Sequence, residues 1–170
     1  MLLDVQLLYR VKRSKTSAGL LMFRRKHDRL EVLLVHPGGP FFRKKESGAW
    51  TIPKGEVAEG EELLNRATVE FGEELGIEPA TAATDWIELG TVKQKGGKTV
   101  HAWTFEGDLP EDFAIVSNTF SMEWPPRSGR TQEFPEIDRA EFFPIELAKE
   151  KINQAQIEFL QRLVEHLDER

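Results

Sequence analysis

Cysteine is absent, which excludes disulfides, thiolate metal ligands and cysteine nucleophiles together. Structural zinc of the thiolate-bound kind is therefore out. A surplus of positive charge is missing as well: 23 Lys and Arg stand against 29 Asp and Glu, a formal charge of −6 with a pI near 5.4. Such a chain offers no broad electrostatic footprint to DNA or RNA, and no stable nucleic-acid complex is expected. An anionic substrate has to be met locally, by a metal or a few placed cations. Internal repeats, low-complexity tracts and interdomain linkers are missing too, so 170 residues with 39% hydrophobic content are expected to form one domain over 1–170. The opening MLLDVQLLYRV is apolar, yet it carries Asp4, lacks a basic leader and a small-residue cleavage site, and is too short to span a bilayer. The expectation is a soluble, cytoplasmic protein with no membrane partner; a homodimer is compatible with the sequence.

What is present reads as alternating strands and helices. Ser17 to Arg24 and Glu31 to Val35 suggest a hairpin across the polar turn Lys26 to Arg29. Pro37-Gly-Gly-Pro40 breaks the sheet pattern, and the stretch to Lys54 reads as a loop with a short strand near Trp50 to Ile52. A loop this rich in Gly, Pro and aromatics suits a substrate rim. From Glu61 to Leu75, Leu64, Ala67, Phe71 and Leu75 form a helical stripe that Gly76 stops. Trp86 to Val92 and Thr99 to Glu106 read as strands joined by a turn at Lys95 to Lys98, with Phe113 to Ser117 a candidate further strand. Asn118 to Glu136 reads as a long aperiodic loop, functional or mobile. Ile137 to Phe143 is a strand again, and Asn153 to Leu167 a closing helix capped by Asn153.

The chemistry concentrates between Gly55 and Glu78. Eight glutamates face one cation there, Arg66, a local charge of −7. Like charges packed this way destabilise a helix unless something neutralises them. Glu70 and Glu74 lie one turn apart beside the apolar stripe, with Glu73 further round. Hard divalent cations want oxygen ligands, and Mg²⁺ usually takes one or two carboxylates, waters and substrate phosphate oxygens. A solvated acidic face is the bland account of any Glu-rich helix.

Spacing weighs against it. Gly55, Glu61, Glu70, Glu73-Glu74, Gly76 and Ile77 resemble the 23-residue Nudix box, with Phe71 and Ile77 at its apolar places; Val69 alone departs, where that family has Arg. The resemblance implies a MutT-like Nudix hydrolase: an α/β/α sandwich with a mixed β-sheet and a C-terminal helix, hydrolysing a nucleoside diphosphate linked to another moiety with Mg²⁺ or Mn²⁺. It implies Glu70, Glu73 and Glu74 as metal ligands and catalytic groups, the Gly55 carbonyl as a further candidate ligand, and Glu61 first of all as a support of loop–helix geometry. In relatives the missing arginine orients the catalytic glutamates. Val69 cannot do so, and Arg66, one turn before Glu70, is a candidate displaced partner.

Outside the box, Pro53-Lys54-Gly55 resembles the entry of Nudix enzymes acting on dinucleoside polyphosphates, diphosphoinositol phosphates and some nucleoside triphosphates. Lys54 is either a phosphate contact or a surface lysine. The resemblance extends over Ser17 to Phe143, and it implies a further glutamate from outside the box as base or ligand: Glu133, with Glu136 close behind, unless both are solvated loop residues. Trp124, Arg127 and Arg130 suit stacking on a base and phosphate recognition. Equally, Phe120 and Trp124 serve to pin the loop while the arginines face water. Phe41, Phe42, Lys44 and Lys45 form a similar mixture earlier, and the four histidines lack metal spacing, His101 being first of all a packing or hydrogen-bonding residue. The expected partner is a small-molecule nucleotide or polyphosphate. A nucleotide-binding sensor that keeps the fold with weak or no catalysis is the alternative, favoured only by Val69; an acidic scaffold for a basic partner is a third.

Overall fold

The computed structural model describes residues 15–79 and 85–170, so the opening dozen residues lie outside the described residues. The elements in chain order are β1 (Thr16–Lys26), β2 (Arg29–Pro37), β3 (Lys54–Glu56), α1 (Leu63–Leu75), β4 (Ile87–Lys93) and β5 (Thr99–Glu106). After them come β6 (Thr119–Glu123), β7 (Thr131–Pro135), β8 (Ile137–Pro144), α2 (Ile145–Lys151) and α3 (Ile157–Asp168). The main sheet runs β4-β5-β1-β2-β8 with β3 beside β1. It is mixed, because β1 pairs in parallel with β5 while the other pairings are antiparallel.

β1 dictates the layering. Side chains alternate across a strand, and here both alternating sets are apolar. Leu21 and Phe23 join the cluster of Ala148 from α2 and Phe159, Leu160 and Leu163 from α3. Ala18, Leu20 and Met22 join Ala67, Phe71 and Leu75 of α1 on the other face. A strand buried on both faces needs cover on both, and the result is the expected α/β/α sandwich. Phe71 is fully buried, its ring edge-on to Phe105 at 5.6 Å.

Several expectations need correcting. Phe113 to Ser117 forms no strand; Phe113 and Ile115 pack half-buried over the α1 side of the core. Asn118 to Glu136 is no aperiodic loop, since β6 and β7 pair as a separate two-stranded sheet, Phe120↔Phe134 and Met122↔Gln132. Its alternation was legible: Phe120, Met122 and Trp124 interleave with Thr119, Ser121 and Glu123. α2 was not foreseen, although Pro144 at its N-cap, Glu146 in its first turn and Lys149 and Lys151 in its last fit a short helix. Near Trp50 to Ile52 only isolated bridges form, Val35↔Thr51 and Trp50↔Ile152. Asn153 does cap, accepting a hydrogen bond from the Ala155 N–H at 3.0 Å, though of a short 3₁₀ turn ahead of α3. His101 stacks on Trp103 at 4.3 Å and meets Glu88 at 2.7 Å, a packing residue as expected.

The excursion between β2 and β3 leaves and returns at one point. Val35 and Thr51 exchange backbone hydrogen bonds of 2.9 and 3.0 Å. Inside it, His36 is buried between Asp138 Oδ1 and the Lys45 carbonyl, both at 2.7 Å. Gln156, also fully buried, receives the Ile52 N–H at 3.0 Å and donates to Thr51 and Gln94.

Glu46 ties the same excursion to β8 and α2. Its carboxylate accepts from Arg139 at 2.6 Å, the Trp50 indole N–H at 3.0 Å and Lys151 at 3.3 Å. Arg139 first, then Trp50, hold this acid at about 2, down from 4.5. A carboxylate with a depressed folded-state pKa adds stability that is complete above its unfolded value and is lost as the pH falls through the folded one. The melting-temperature gap between wild type and Glu46→Gln should thus be widest near neutrality and close between about 4.5 and about 2. A gap that stays constant across acid titration would exclude this linkage.

Candidate active site

The site forms where β3 passes into α1. β3 lies against β1 through Ala18↔Gly55 and Gly19↔Lys54, and the chain then turns through Ala58 to Glu62 into the helix. Gly55 has to be glycine: a Cβ there would land on the Glu70 carboxyl group. At the far end Gly76 adopts a left-handed conformation (φ 75°) and its N–H bonds back to the Gly72 carbonyl at 2.8 Å, closing the helix.

α1 has no side-chain N-cap, no acid in its first turn and no base in its last. A side-chain fork does the bracing instead. Arg66 Nε and Nη2 donate to the two Glu61 oxygens, both at 2.6 Å, and Nη1 donates to Glu70 Oε1 at 3.2 Å. Glu61 Oε1 also accepts from the Ala58 N–H at 3.2 Å, so Glu61 joins the loop to the helix, the structural role expected of it. The Arg66 hydrogen bond holds the Glu61 carboxyl below the usual carboxylate range. Reciprocally, Glu61 and Glu70 hold the Arg66 guanidinium still more firmly protonated.

Glu70 and Glu74 face the β3 side. Burial pushes the Glu70 carboxyl up, with Arg66 opposing and the charges of Glu73 and Glu136 adding to the rise. Glu74 is more extreme: it is 9% exposed, its Oε2 is buried without a hydrogen-bond partner, and its pKa is pushed up to about 8. Burial is the main cause and Glu70 the next, against which the Lys54 ammonium and backbone act. Lys54 in turn is mostly buried; burial lowers its pKa, while Glu74, Glu56 and Glu70 draw it back up. Lys54 is thus no ordinary surface lysine. Lys98 joins it from the β4–β5 turn, paired to Glu56 at 3.2 Å. Nothing in the sequence pointed to Lys98, which lies 42 residues from its partner.

Other expected residues are spread differently. Glu73 is exposed and borders a cleft with Val69, Gly72 and Trp86 on the outer flank of α1. Of the two glutamates near the end of β7, Glu136 is the one whose charge acts on both Glu70 and Glu74. Glu133 is exposed in β7 opposite Ser121. Trp124 lies edge-on to Phe41 at 5.8 Å, and Arg127 and Arg130 are exposed in the turn between β6 and β7. Among the described residues no three acidic or histidine side chains stand close enough together to cage a metal by themselves. The donor set still fits Mg²⁺ or Mn²⁺, because two converging carboxylates, one with an orphaned buried oxygen, are what a hard cation sharing waters and substrate oxygens requires. Neutralising that pair would also remove the strain that now raises both acids.

Arg66→Ala should lower stability by about 1–3 kcal/mol, since it leaves Glu61 and Glu70 without their shared donor. Arg66→Lys should recover less than half of that, because one ammonium cannot fork. Chemical denaturation measures both, and an unchanged midpoint in Arg66→Ala would show the fork to be idle.

The NUDIX domain model matches residues 13–163. Among solved structures, an Ap4A hydrolase from C. elegans in a binary complex superposes with a TM-score of 0.64 at 20% identity, over 91% of this chain and 99% of that one. The NUDIX domain of Shewanella oneidensis NrtR, complexed with ADP ribose, gives 0.62 at 16% identity over 92% and 90%. A MutT protein from Methanosarcina mazei Go1 gives 0.56 at 20% identity over 89% and 94%. Among curated proteins there is no match. With the family model spanning nearly the whole chain and the α/β/α fold and carboxylate helix in place, this chain belongs to the NUDIX family, a Nudix pyrophosphohydrolase by class.

Proposed function

We propose that the chain hydrolyses a phosphate anhydride in a nucleoside diphosphate-linked substrate, of the nucleoside triphosphate or dinucleoside polyphosphate class, with Mg²⁺ or Mn²⁺. The observation that carries this is the unpartnered, buried oxygen of Glu74 beside Glu70. Such an arrangement is costly in a resting fold and is relieved by a bound cation.

Glu70 and Glu74 would hold the metal, the Gly55 carbonyl and Glu73 being further candidate ligands. Bound there, the ion neutralises phosphate charge and lowers the pKa of an attacking water. Arg66 keeps Glu70 turned toward β3. Lys54, mostly buried among the carboxylates, is placed to meet a substrate phosphate oxygen. Glu136 stands nearer this chemistry than Glu133 in its electrostatic reach and is the first choice for the base. The chain's own contribution is positioning and fixed charge.

A sensor that binds nucleotide without cutting it draws support from Val69, which leaves the usual arginine position empty of charge. The Arg66 fork weakens that support, since a guanidinium already engages Glu61 and Glu70.

Three outcomes follow. Glu74→Gln should retain the fold and lose most turnover, about a hundredfold or more if it removes a metal ligand. Mn²⁺ at about 100 times its dissociation constant should stabilise wild type by about 2.7 kcal/mol and Glu74→Gln much less. Full turnover in Glu74→Gln, or equal Mn²⁺ stabilisation of both proteins, excludes the site. Val69→Arg should change turnover little in the parent and raise it in an Arg66→Ala background, a coupling that a double-mutant cycle reads. No gain in either background would mean that the exposed position 69 does not reach the carboxylates.

A further inference from the structure

The two mixtures of basic and aromatic residues that lie far apart in sequence meet in space. Phe41 and Trp124 make an edge-on contact at 5.8 Å, and the hairpin β6–β7 docks on the loop before Phe41. The Phe120 ring lies against Gly39, where a Cβ would come within 2.9 Å of it, and the Gly38 N–H donates to the Glu136 carbonyl at 2.9 Å. Arg43, Lys44 and Lys45 follow Phe41 within four residues, Arg127 follows Trp124 by three, and Arg130 meets Trp124 through its backbone carbonyl. All five are exposed, Lys45 lies over the Phe42 ring at 5.5 Å, and none has an ion-pair partner among the described residues. Phe41 itself is 59% exposed.

The acids of the same region are directed elsewhere. Glu123 pairs across to Thr131 and Glu133 to Ser121, so both lie on the hairpin face opposite Phe120, Met122 and Trp124. Glu46 is engaged by Arg139 and Lys151. A chain of net charge −6 therefore carries a local surface of unpaired cations beside aromatic rings.

Its distance from the carboxylates limits what it can receive. The hairpin leads from Glu136, whose charge acts on Glu70 and Glu74 and whose N–H bonds to Asn118, along the strands to Trp124, bonded to Arg130 at the far end, about 20 Å at the usual rise per residue. In a nucleoside triphosphate or a dinucleoside polyphosphate all the negative charge lies on the phosphate chain at the metal-binding carboxylates, and a base end is neutral. Five cations at the far end would have nothing to pair with. A single-stranded oligonucleotide repeats a phosphate at every nucleotide and offers bases for stacking, the combination that such surfaces bind.

We propose that Phe41, Trp124 and the surrounding Arg43, Lys44, Lys45, Arg127 and Arg130 receive the leading nucleotides of a single-stranded nucleic acid whose 5′ phosphates reach the carboxylate site. Only the part played by those carboxylates rests on the hydrolase reading above. The acidity of the whole chain argues against a broad footprint on nucleic acid, and a patch serving one strand end needs none.

The test uses a ligand without an anhydride, so that turnover does not enter: a 5′-monophosphorylated hexaribonucleotide with a 3′ fluorophore, its anisotropy titrated with the full chain, and the matching nucleoside monophosphate as competitor. The oligonucleotide should bind at least about tenfold more tightly than the monophosphate, with an affinity that falls steeply with salt. Trp124→Ala and Phe41→Ala should each weaken it about tenfold. The exposed double substitution Arg43→Ala with Lys44→Ala, which touches no core contact, should weaken it and flatten the salt dependence. Equal affinities for oligonucleotide and monophosphate overturn the proposal, as does oligonucleotide binding unchanged in the Arg43→Ala, Lys44→Ala protein. The two readings fail separately. A protein that binds the strand and leaves its 5′-triphosphorylated form intact loses the hydrolase reading alone, and one that hydrolyses nucleoside triphosphates without preferring the strand loses this one alone.

Discussion

Two carboxylates held out of water on one helix face are the constraint to which the rest of the site answers. Glu70 and Glu74 repel each other and resist burial, so α1 has to be fastened down by other means. Apolar packing provides most of them, through Ala67, Phe71 and Leu75 against β1. The remainder is electrostatic: the Arg66 fork on one side of Glu70 and Lys54 beside Glu74. Gly55 follows from the same demand, since only a residue without a side chain lets β3 come close enough for its backbone to border the Glu70 carboxyl.

Local periodicity explains what was legible beforehand. The strand alternation of β1, the helical stripe of α1 and the glutamate spacing all lie within short windows, and sheet, helix and carboxylate pair come out where those patterns put them. The failures have the opposite character. That Glu136, rather than Glu133, acts electrostatically on Glu70 and Glu74 depends on where β7 ends relative to Gly38, and the Lys98–Glu56 pair on a turn approaching β3 from across the sheet; neither is encoded locally. β6 is different again: its alternation was present in Thr119 to Trp124, but the following Pro-Pro and Gly obscured it as irregular chain.

Arg66 supplies the guanidinium that braces the carboxylate helix, while Val69 carries no charge. Arg66 stands three residues before Val69 and four before Glu70, and from there it spans both the loop glutamate and the helix glutamate. Position 69 is left exposed, beside Glu73 on the outer flank.

The excursion between β2 and β3 closes on the backbone pair Val35 and Thr51 and is tied again inside that closure, by the Gly38 N–H to Glu136, the Lys45 carbonyl to His36 and the Glu46 carboxylate to Arg139 and Lys151. A loop pinned at several interior points tolerates change only between its ties. Phe41, Arg43 and Lys44 lie exposed between those ties, whereas Gly55, Glu70 and Glu74 lie beyond the closure. Changes confined to residues 41–44 can therefore alter what the protein grips with little effect on the carboxylate helix, whereas replacing Gly38, Lys45 or Glu46 reaches Glu136, His36 and α2.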